Sequence, residues 1–325
     1  MRKTKALVLF SGGLDSVLAI KILLNQKINV EAVYFVTPFS TVDKNRIKEM
    51  CKELKVKLHE ITLKGSYLNL IKNPKHGYGS QMNPCIDCRI FMLKKAARLA
   101  KKIKADFIAT GEVLGERPFS QRMDSLLLIE KESGLKGKIL RPLSARLLPI
   151  TDAEKNNLVD RNKLFAIKGR SRKPQLKLAK KFKIKNFLSP AGGCLLTDPR
   201  FADRLRDFLK FNKKLTLLDV ELLKLGRHFR VGRNKIIVGR NEEENKKLLQ
   251  LAKKYKIPFL EDINYPGPIT LLLGKTKKES IKIAAEITAH YSDAKGKTKI
   301  LYKMKDKKIL EVIPISRLRL KKFIV

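Results

Sequence analysis

Short apolar runs and amphipathic stretches alternate along the first two thirds of the chain. Ala6–Phe10 is a run of five apolar residues between polar neighbours, which predicts a fully buried strand. Val17–Leu24 is apolar at helical spacing. Val30–Val36 reads as a second strand, Val42–Leu54 as an amphipathic helix and Lys55–Thr62 as a third strand. A loop with Asn73-Pro74, Gly77 and Gly79 follows. Cys88–Lys102 is then helical, and Asp106–Thr110 is another buried strand. Strands and helices in this alternation predict an α/β fold: a doubly wound parallel sheet with its ligand at the carboxyl ends of the strands. Within 115–150 the pattern predicts a hairpin, Ser125–Glu130 with Gly137–Leu140. Pro199–Phe211 reads as a helix that closes a first domain, residues 1–211.

From about residue 212 the texture changes. Leu225–Arg230 and Lys235–Arg240 flank Gly232–Asn234 as a hairpin would. Asn241–Lys254 is a helix with acids at its start, as the helix dipole favours. Tyr265–Leu273 is a turn into a strand, Glu279–Tyr291 an amphipathic helix, and Lys297–Lys303 and Lys308–Ile313 two last strands. This predicts a second, smaller α+β domain, residues 212–325.

Charge changes the picture. The 325 residues carry 72 Lys and Arg against 31 Asp and Glu, a formal net charge of +41. Solubility alone does not need so much, and the excess points to a polyanionic partner such as nucleic acid. From Arg161 to Thr197 there are eleven basic residues and no acid, including Arg170, Arg172 and Lys173. That stretch reads as a contact to a phosphate backbone. No apolar run approaches the ~18 residues of a membrane span, and no signal peptide is read at the start. A cytoplasmic setting is expected, where four cysteines, Cys51, Cys85, Cys88 and Cys194, point to chemistry or metal binding over disulfides.

Ser11-Gly12-Gly13-Leu14-Asp15-Ser16 lies between the first strand and the first helix. Such a turn aims backbone N–H groups and the positive helix end at an anion. Gly12 and Gly13 are expected to accept positive φ and let a phosphate approach. Ser11 and Ser16 offer hydroxyls, and Asp15 can hold Mg²⁺ against a phosphate. The string is neither a dinucleotide fingerprint nor a Walker A loop. It resembles the pyrophosphate loop of the PP-loop ATPases, which cleave ATP between the α and β phosphates and adenylate a substrate.

Cys85 and Cys88 open a helix. Its N-terminus and Arg89 are expected to depress the Cys88 thiol pKa. Structural zinc would need four ligands; His59, His76, His228 and His290 are scattered and read as ordinary, and Cys51 as buried. Cys194 follows Gly192-Gly193, an open approach to its sulfur.

With these residues the resemblance narrows to the tRNA 2-thiouridylases. Asn83-Pro84 and Cys88 fall on that family's N-P-D-x-x-C-N, with Cys85 in place of Asp and Arg89 in place of Asn. Lys104–Gly111 is similar to its nucleotide-binding G-A-D-x-I-A-T-G-H, with Glu112 in place of His. Lys173-Pro174-Gln175 resembles its K-P-Q helix start, and Ser189–Cys194 the stretch around its second catalytic cysteine. The likeness covers about residues 5–200 and is discontinuous; residues 115–150 do not look like the family. Residues after 212 resemble the RNA-binding domain of the NFACT proteins, through Val238–Asn245 and the Gly226-Arg227-His228 segment.

The resemblance implies an ATP-dependent tRNA sulfurtransferase, using ATP and Mg²⁺, with tRNA and a sulfur donor as partners. Ser11, Gly12, Gly13, Asp15, Ser16, Phe35 and Gly111 form the expected ATP site. Arg170, Arg172, Lys173, Arg227 and Arg240 form the expected RNA contacts. Cys194 is implied to carry sulfur as a persulfide that Cys88 resolves through a disulfide. Cys85, Cys88 and Cys194 are also similar to the three-cysteine set of thiolases that hold a [4Fe-4S] cluster, and both routes stay open. Two other readings are a PP-loop amide ligase acting on a small metabolite and a non-catalytic RNA-binding protein. The first does not require the charge or the cysteines, and the second does not require Asp15 and both cysteine sites.

Overall fold

A computed structural model describes residues 3–188, 193–275, 277–304 and 306–325. The chain divides into two compact units, Met1–Pro199 and Arg200–Val325.

In the first unit β1 (Lys5–Leu9), β2 (Asn29–Val36), β3 (Lys57–Thr62), β4 (Phe107–Thr110) and β5 (Ile139–Leu140) form one sheet, in the order β3-β2-β1-β4-β5. Every pairing is parallel. β1 and β2 are apolar almost throughout because both faces of the sheet are covered. Ala6, Val8, Ala32 and Ala109 share one core with the helices Leu14–Asn25, Lys44–Glu53 and Lys173–Lys181. Leu7, Leu9 and Ile108 alternate to the opposite face and are equally buried. The helix Cys85–Lys102 packs against β1 and β4. From β1 the chain runs outward through β2 and β3, then returns on the other side as β4. That reversal is the switch point at which a doubly wound sheet opens a crevice.

The predicted hairpin at 125–140 is not one. Ser125–Glu130 lies inside a helix, Met123–Ser133, which ends on Gly134 in the left-handed region at φ 74°. Leu126, Ile129 and Ser133 are buried at helical spacing, and β5 pairs in parallel with β4 instead of folding back. The cysteine helix starts at Cys85, three residues before Cys88. The helix Gly65–Lys72 has no counterpart in the apolar pattern.

In the second unit β6 (Arg227–Val231), β7 (Asn234–Val238), β8 (Phe259–Asp262), β9 (Thr270–Leu273), β10 (Thr298–Lys303) and β11 (Lys307–Val312) form an antiparallel sheet, in the order β11-β10-β8-β9-β7-β6. Its central strands bury both faces. Ile236, Leu260 and Leu272 pack with the helix Lys278–His290 on one side. Their neighbours Ile237, Phe259 and Leu271 pack with Leu248 and Ala252 of the helix Glu242–Tyr255 on the other. All of the helix Pro199–Phe211 but its first residue falls in this unit, so the division comes after Pro199 and not at the expected 211. Asp207 on that helix accepts from Arg230 Nε (2.9 Å) and Lys235 Nζ (2.7 Å), both on the β6–β7 hairpin. Lys235 is buried, so its ammonium needs that carboxylate. No helix among the described residues is long and apolar enough to cross a membrane.

Candidate active site at the carboxyl ends of the parallel strands

The loop after β1 is braced by its own atoms. Ser16 Oγ donates to the Gly13 carbonyl (2.8 Å), and the Ser11 N–H donates to Ser16 Oγ (3.3 Å). Gly12 has φ +78°, and a Cβ there would meet Ile47 Cδ1 and Leu188 Cδ1 at 2.7 Å, so glycine is required. Gly13 departs from expectation: it is extended at φ −71° and serves as the N-cap of the Leu14–Asn25 helix. Asp15 opens that helix. Burial raises its carboxyl above the ordinary range, against the pull of the Arg172 guanidinium. Its Oδ1 is buried without a hydrogen-bond partner. An oxygen of that kind suits a hard cation such as Mg²⁺.

The loop after β4 meets the first loop closely. A Cβ on Gly111 would lie 2.5 Å from the backbone carbon of Asp15 and 2.5 Å from the Ser16 nitrogen. Gly111, expected among the ATP ligands, is therefore needed sterically to seat the phosphate loop. Phe35, also expected there, is buried within β2. Glu112, next in line, is 2 % exposed. It takes Arg141 Nε at 3.1 Å and Arg89 Nε at 3.2 Å, and Arg141 is also bonded to Glu130. Glu112 remains ionised despite its burial because the two guanidinium groups hold its pKa below the usual carboxylate range.

The cysteines approach this end of the sheet from two directions. Asn83 Nδ2 donates to Cys85 Sγ (3.2 Å) and so sets the start of the cysteine helix. Cys88 Sγ lies 3.3 Å from the Tyr67 hydroxyl. The Tyr67 ring packs on Phe39 (6.3 Å) and Phe91 (5.7 Å). Cys194 bridges to Ser40 just beyond β2, and the Leu195 N–H donates to the Phe39 carbonyl (2.9 Å). Phe39 and Tyr67 thus connect the surroundings of Cys88 and Cys194. Residues 189–192, part of the glycine approach read before Cys194, lie outside the described residues.

The Cys88 thiol is not acidified. Burial pushes it well above the ordinary thiol value, the Tyr67 contact opposes this only in part, and the Cys85 and Cys194 sulfurs raise it further. Arg89 lowers it as expected, but burial outweighs that pull, and Arg89 is also paired with Glu112. Burial likewise pushes Cys194 up to about 11 and Cys51 up to about 11. At rest these sulfurs are protonated. Among the described residues no group of three or more His, Cys, Asp and Glu is placed to hold a metal ion. Cys85, Cys88 and Cys194 nonetheless all act on the Tyr67 hydroxyl, and Cys85 and Cys194 both act on the Cys88 thiol, so the three sulfurs share one neighbourhood.

The basic residues divide. Arg170 and Lys173 are exposed, whereas Arg172 is half-buried and acts on Asp15. Arg227 stacks on the Tyr291 ring at 4.7 Å, and Arg240 is bound by Glu244 through Nε at 3.0 Å. Tyr67, Glu112, Arg141 and Gln175 escaped the sequence reading of roles. Asn83 and Glu112 sat inside quoted motifs, but Tyr67 had no local signal.

Strand order, switch point and loop define a PP-loop type of α/β nucleotide fold. More narrowly, residues 2–159 match the family described as thiamine biosynthesis protein (ThiI), and residues 226–324 match the NFACT protein RNA binding domain. The first match runs through 115–150, which had looked foreign to the resemblance. A probable tRNA sulfurtransferase of Thermoanaerobacter sp. (strain X514) is 32% identical over 146 residues, 43% of this chain and 36% of that protein. One from Ureaplasma urealyticum serovar 10 is 32% identical over 144 residues, again 43% and 36%. The match thus spans about a third of the length of these curated relatives. Among solved structures, a 4-thiouridine synthetase–RNA complex with bound ATP is 20% identical, with a TM-score of 0.39, over 68% of this chain and 52% of that one. A U34-tRNA thiolase from Methanococcus maripaludis with its [4Fe-4S] cluster is 17% identical, with a TM-score of 0.31, over 77% and 80%. Neither likeness carries a residue-level correspondence.

Proposed function

We propose that this chain is an ATP-dependent tRNA sulfurtransferase that replaces a uridine carbonyl oxygen with sulfur in the cytoplasm. The observation that carries the reading is the meeting, at one end of one sheet, of a phosphate-type loop with the surroundings of Cys88 and Cys194. The names of the relatives and the RNA-binding domain match support it.

In this reading Ser11–Ser16 receives the β and γ phosphates of ATP, and Asp15 is the residue that would hold Mg²⁺. The uridine oxygen attacks the α phosphorus and pyrophosphate leaves. The terminal sulfur of a Cys194 persulfide, transferred to the Cys194 thiol from an external persulfide donor that leaves as its thiol, attacks the activated carbon and AMP leaves. Cys88, losing its proton, attacks Cys194 Sγ; the S–S bond breaks toward the base, and a Cys88–Cys194 disulfide remains for an external thiol to reduce. Tyr67 keeps Cys88 oriented. The second reading is a [4Fe-4S] cluster that Cys85, Cys88 and Cys194 would hold, supported by the shared neighbourhood of the three sulfurs around Tyr67.

The test is pyrophosphate release by the purified protein, with and without tRNA, followed by mass spectrometry of the tRNA nucleosides. Release that depends on tRNA and yields a thiolated uridine is expected. Release driven by a small metabolite instead would make the protein an amide ligase. A brown, iron-containing protein after anaerobic purification would replace the thiol route with the cluster.

A further inference from the structure

We infer that Arg172 and Gln175 complete the nucleotide site, their buried N–H groups donating to the polyphosphate that a cation on Asp15 would accompany. The inference rests on the ATP reading above and reassigns Arg172 from the RNA surface.

The basic segment is laid along the phosphate loop. Its helix, Lys173–Lys181, packs on the helix Leu14–Asn25 that Asp15 opens. Beyond it the Leu188 N–H donates to the Gly12 carbonyl (2.8 Å), and Leu188 bridges to Gly13. At the near end of this helix Gln175 has 0 % exposure; its amide reaches toward the Asp15 carboxyl and lowers its pKa, yet no partner lies within full hydrogen-bond distance of either amide atom. Arg172 Nε and Asp15 Oδ1 are buried and unpartnered in the same way. Buried polar atoms normally find full partners; here Gln175 and Arg172 turn toward Asp15 without completing a bond, which points to an absent polar ligand among them.

The chemistry of three of these atoms, Arg172 Nε, Gln175 Nε2 and Asp15 Oδ1, specifies the ligand. A guanidinium N–H and an amide N–H donate, as phosphate oxygens require. A carboxylate oxygen suits the metal that accompanies a polyphosphate. Arg172 also acts on Glu116, whose carboxyl is raised by burial and by the nearby Asp15. Without Arg172 two carboxylates would face incoming phosphates with less compensation. The exposed neighbours Arg170 and Lys173 have no such setting and remain with the RNA-facing set.

The experiment uses the full chain and two direct binding measurements: ATP affinity by calorimetry, with and without Mg²⁺, and tRNA affinity at fixed salt. Arg172→Ala is expected to weaken MgATP binding roughly tenfold or more, as loss of a charge-assisted hydrogen bond implies. It should weaken metal-free ATP binding by a still larger factor, and leave tRNA affinity within about twofold. Gln175→Leu keeps the buried volume and should weaken ATP alone. Arg170→Ala with Lys173→Ala should do the reverse. Arg172→Lys should recover part of the ATP affinity, and with Gln175→Leu it carries the test if Arg172→Ala does not fold. ATP affinity unchanged in all Arg172 and Gln175 variants, or tRNA loss without ATP loss, overturns the inference. A wild-type protein that binds no ATP overturns the ATP reading itself.

Discussion

At the scale of single residues, the sulfurs separate local signals from environment. The sequence around Cys88 shows a helix start and an arginine, both of which acidify a thiol. The fold buries that sulfur, and burial outweighs the lowering by the Tyr67 hydroxyl and by Arg89, itself paired with Glu112. None of these partners is a near neighbour of Cys88 except Arg89 itself, and its partner sits on another element. The acidity of Cys88 was therefore illegible, whereas Gly12 and Asp15 were readable because their roles belong to one short turn. For Cys194, a thiol value of about 11 leaves on the order of 100-fold less thiolate at pH 7 than an ordinary cysteine has. Alkylation by iodoacetamide, followed residue by residue by mass spectrometry, should therefore be slow at Cys194 at pH 7. Its rate should climb with pH up to about 11, and a plateau near pH 8 would contradict the burial argument. Cys88→Ser and Cys194→Ser should each abolish sulfur incorporation and leave tRNA binding unchanged. Cys85→Ser should keep substantial activity on the thiol route, and an inactive, colourless Cys85→Ser protein would favour the cluster.

At the scale of elements, the loop after β4 is a structural key. Gly111 touches the backbone of Asp15 and Ser16, so Gly111→Ala must push β4 and the phosphate loop apart. ATP binding should fall at least tenfold while circular dichroism stays native; unchanged ATP affinity would show that the loops yield freely. Glu112 joins that loop to Arg89 on the cysteine helix and to Arg141 beyond β5. Glu112→Gln leaves two guanidinium groups short of a buried charge and should cost about 3–5 kcal/mol in urea unfolding. The folded Glu112 value lies below its unfolded value near 4.3. Its contribution is whole above that pH and is lost as pH falls through the depressed value, so the variant should show less acid dependence than wild type. The same region shows why a sequence pattern fails locally. Ser125–Glu130 is mostly apolar and short, which suits either a strand or a buried helix. Gly134, as the C-cap of a helix, and the pairing of β5 with β4 decided for the helix. The main parallel strands were legible because continuous apolar runs between glycine-rich turns have one economical arrangement.

At the scale of the whole chain, the division between units fixes where the protein can be cut. The helix Pro199–Phe211 buries Phe201, Leu205 and Phe208 and supplies Asp207 to Arg230 and Lys235. A fragment beginning at 212 would retain Lys235, which is 3 % exposed, without its carboxylate. Burial already lowers the Lys235 ammonium to about 8 with Asp207 present. Loss of the partner should cost about 3–5 kcal/mol, a large part of a small domain's stability. Residues 200–325 should therefore unfold cooperatively in urea at a clearly higher midpoint than residues 212–325. Equal midpoints would show that the helix belongs functionally to the first unit. The stable fragment also tests the charge argument. Residues 200–325 should bind tRNA with a log K that falls linearly with log salt, by about 0.9 per neutralised phosphate on duplex or 0.7 on single strands. The remaining chain, residues 1–199, should bind tRNA more weakly and with a shallower slope than the full protein, because it neutralises fewer phosphates and releases fewer counterions. It should bind ATP as before, since β1, β4, Gln175 and Arg172 all lie in its own unit. If its tRNA affinity and slope match those of the intact protein, the +41 charge serves solubility and the second unit has another ligand.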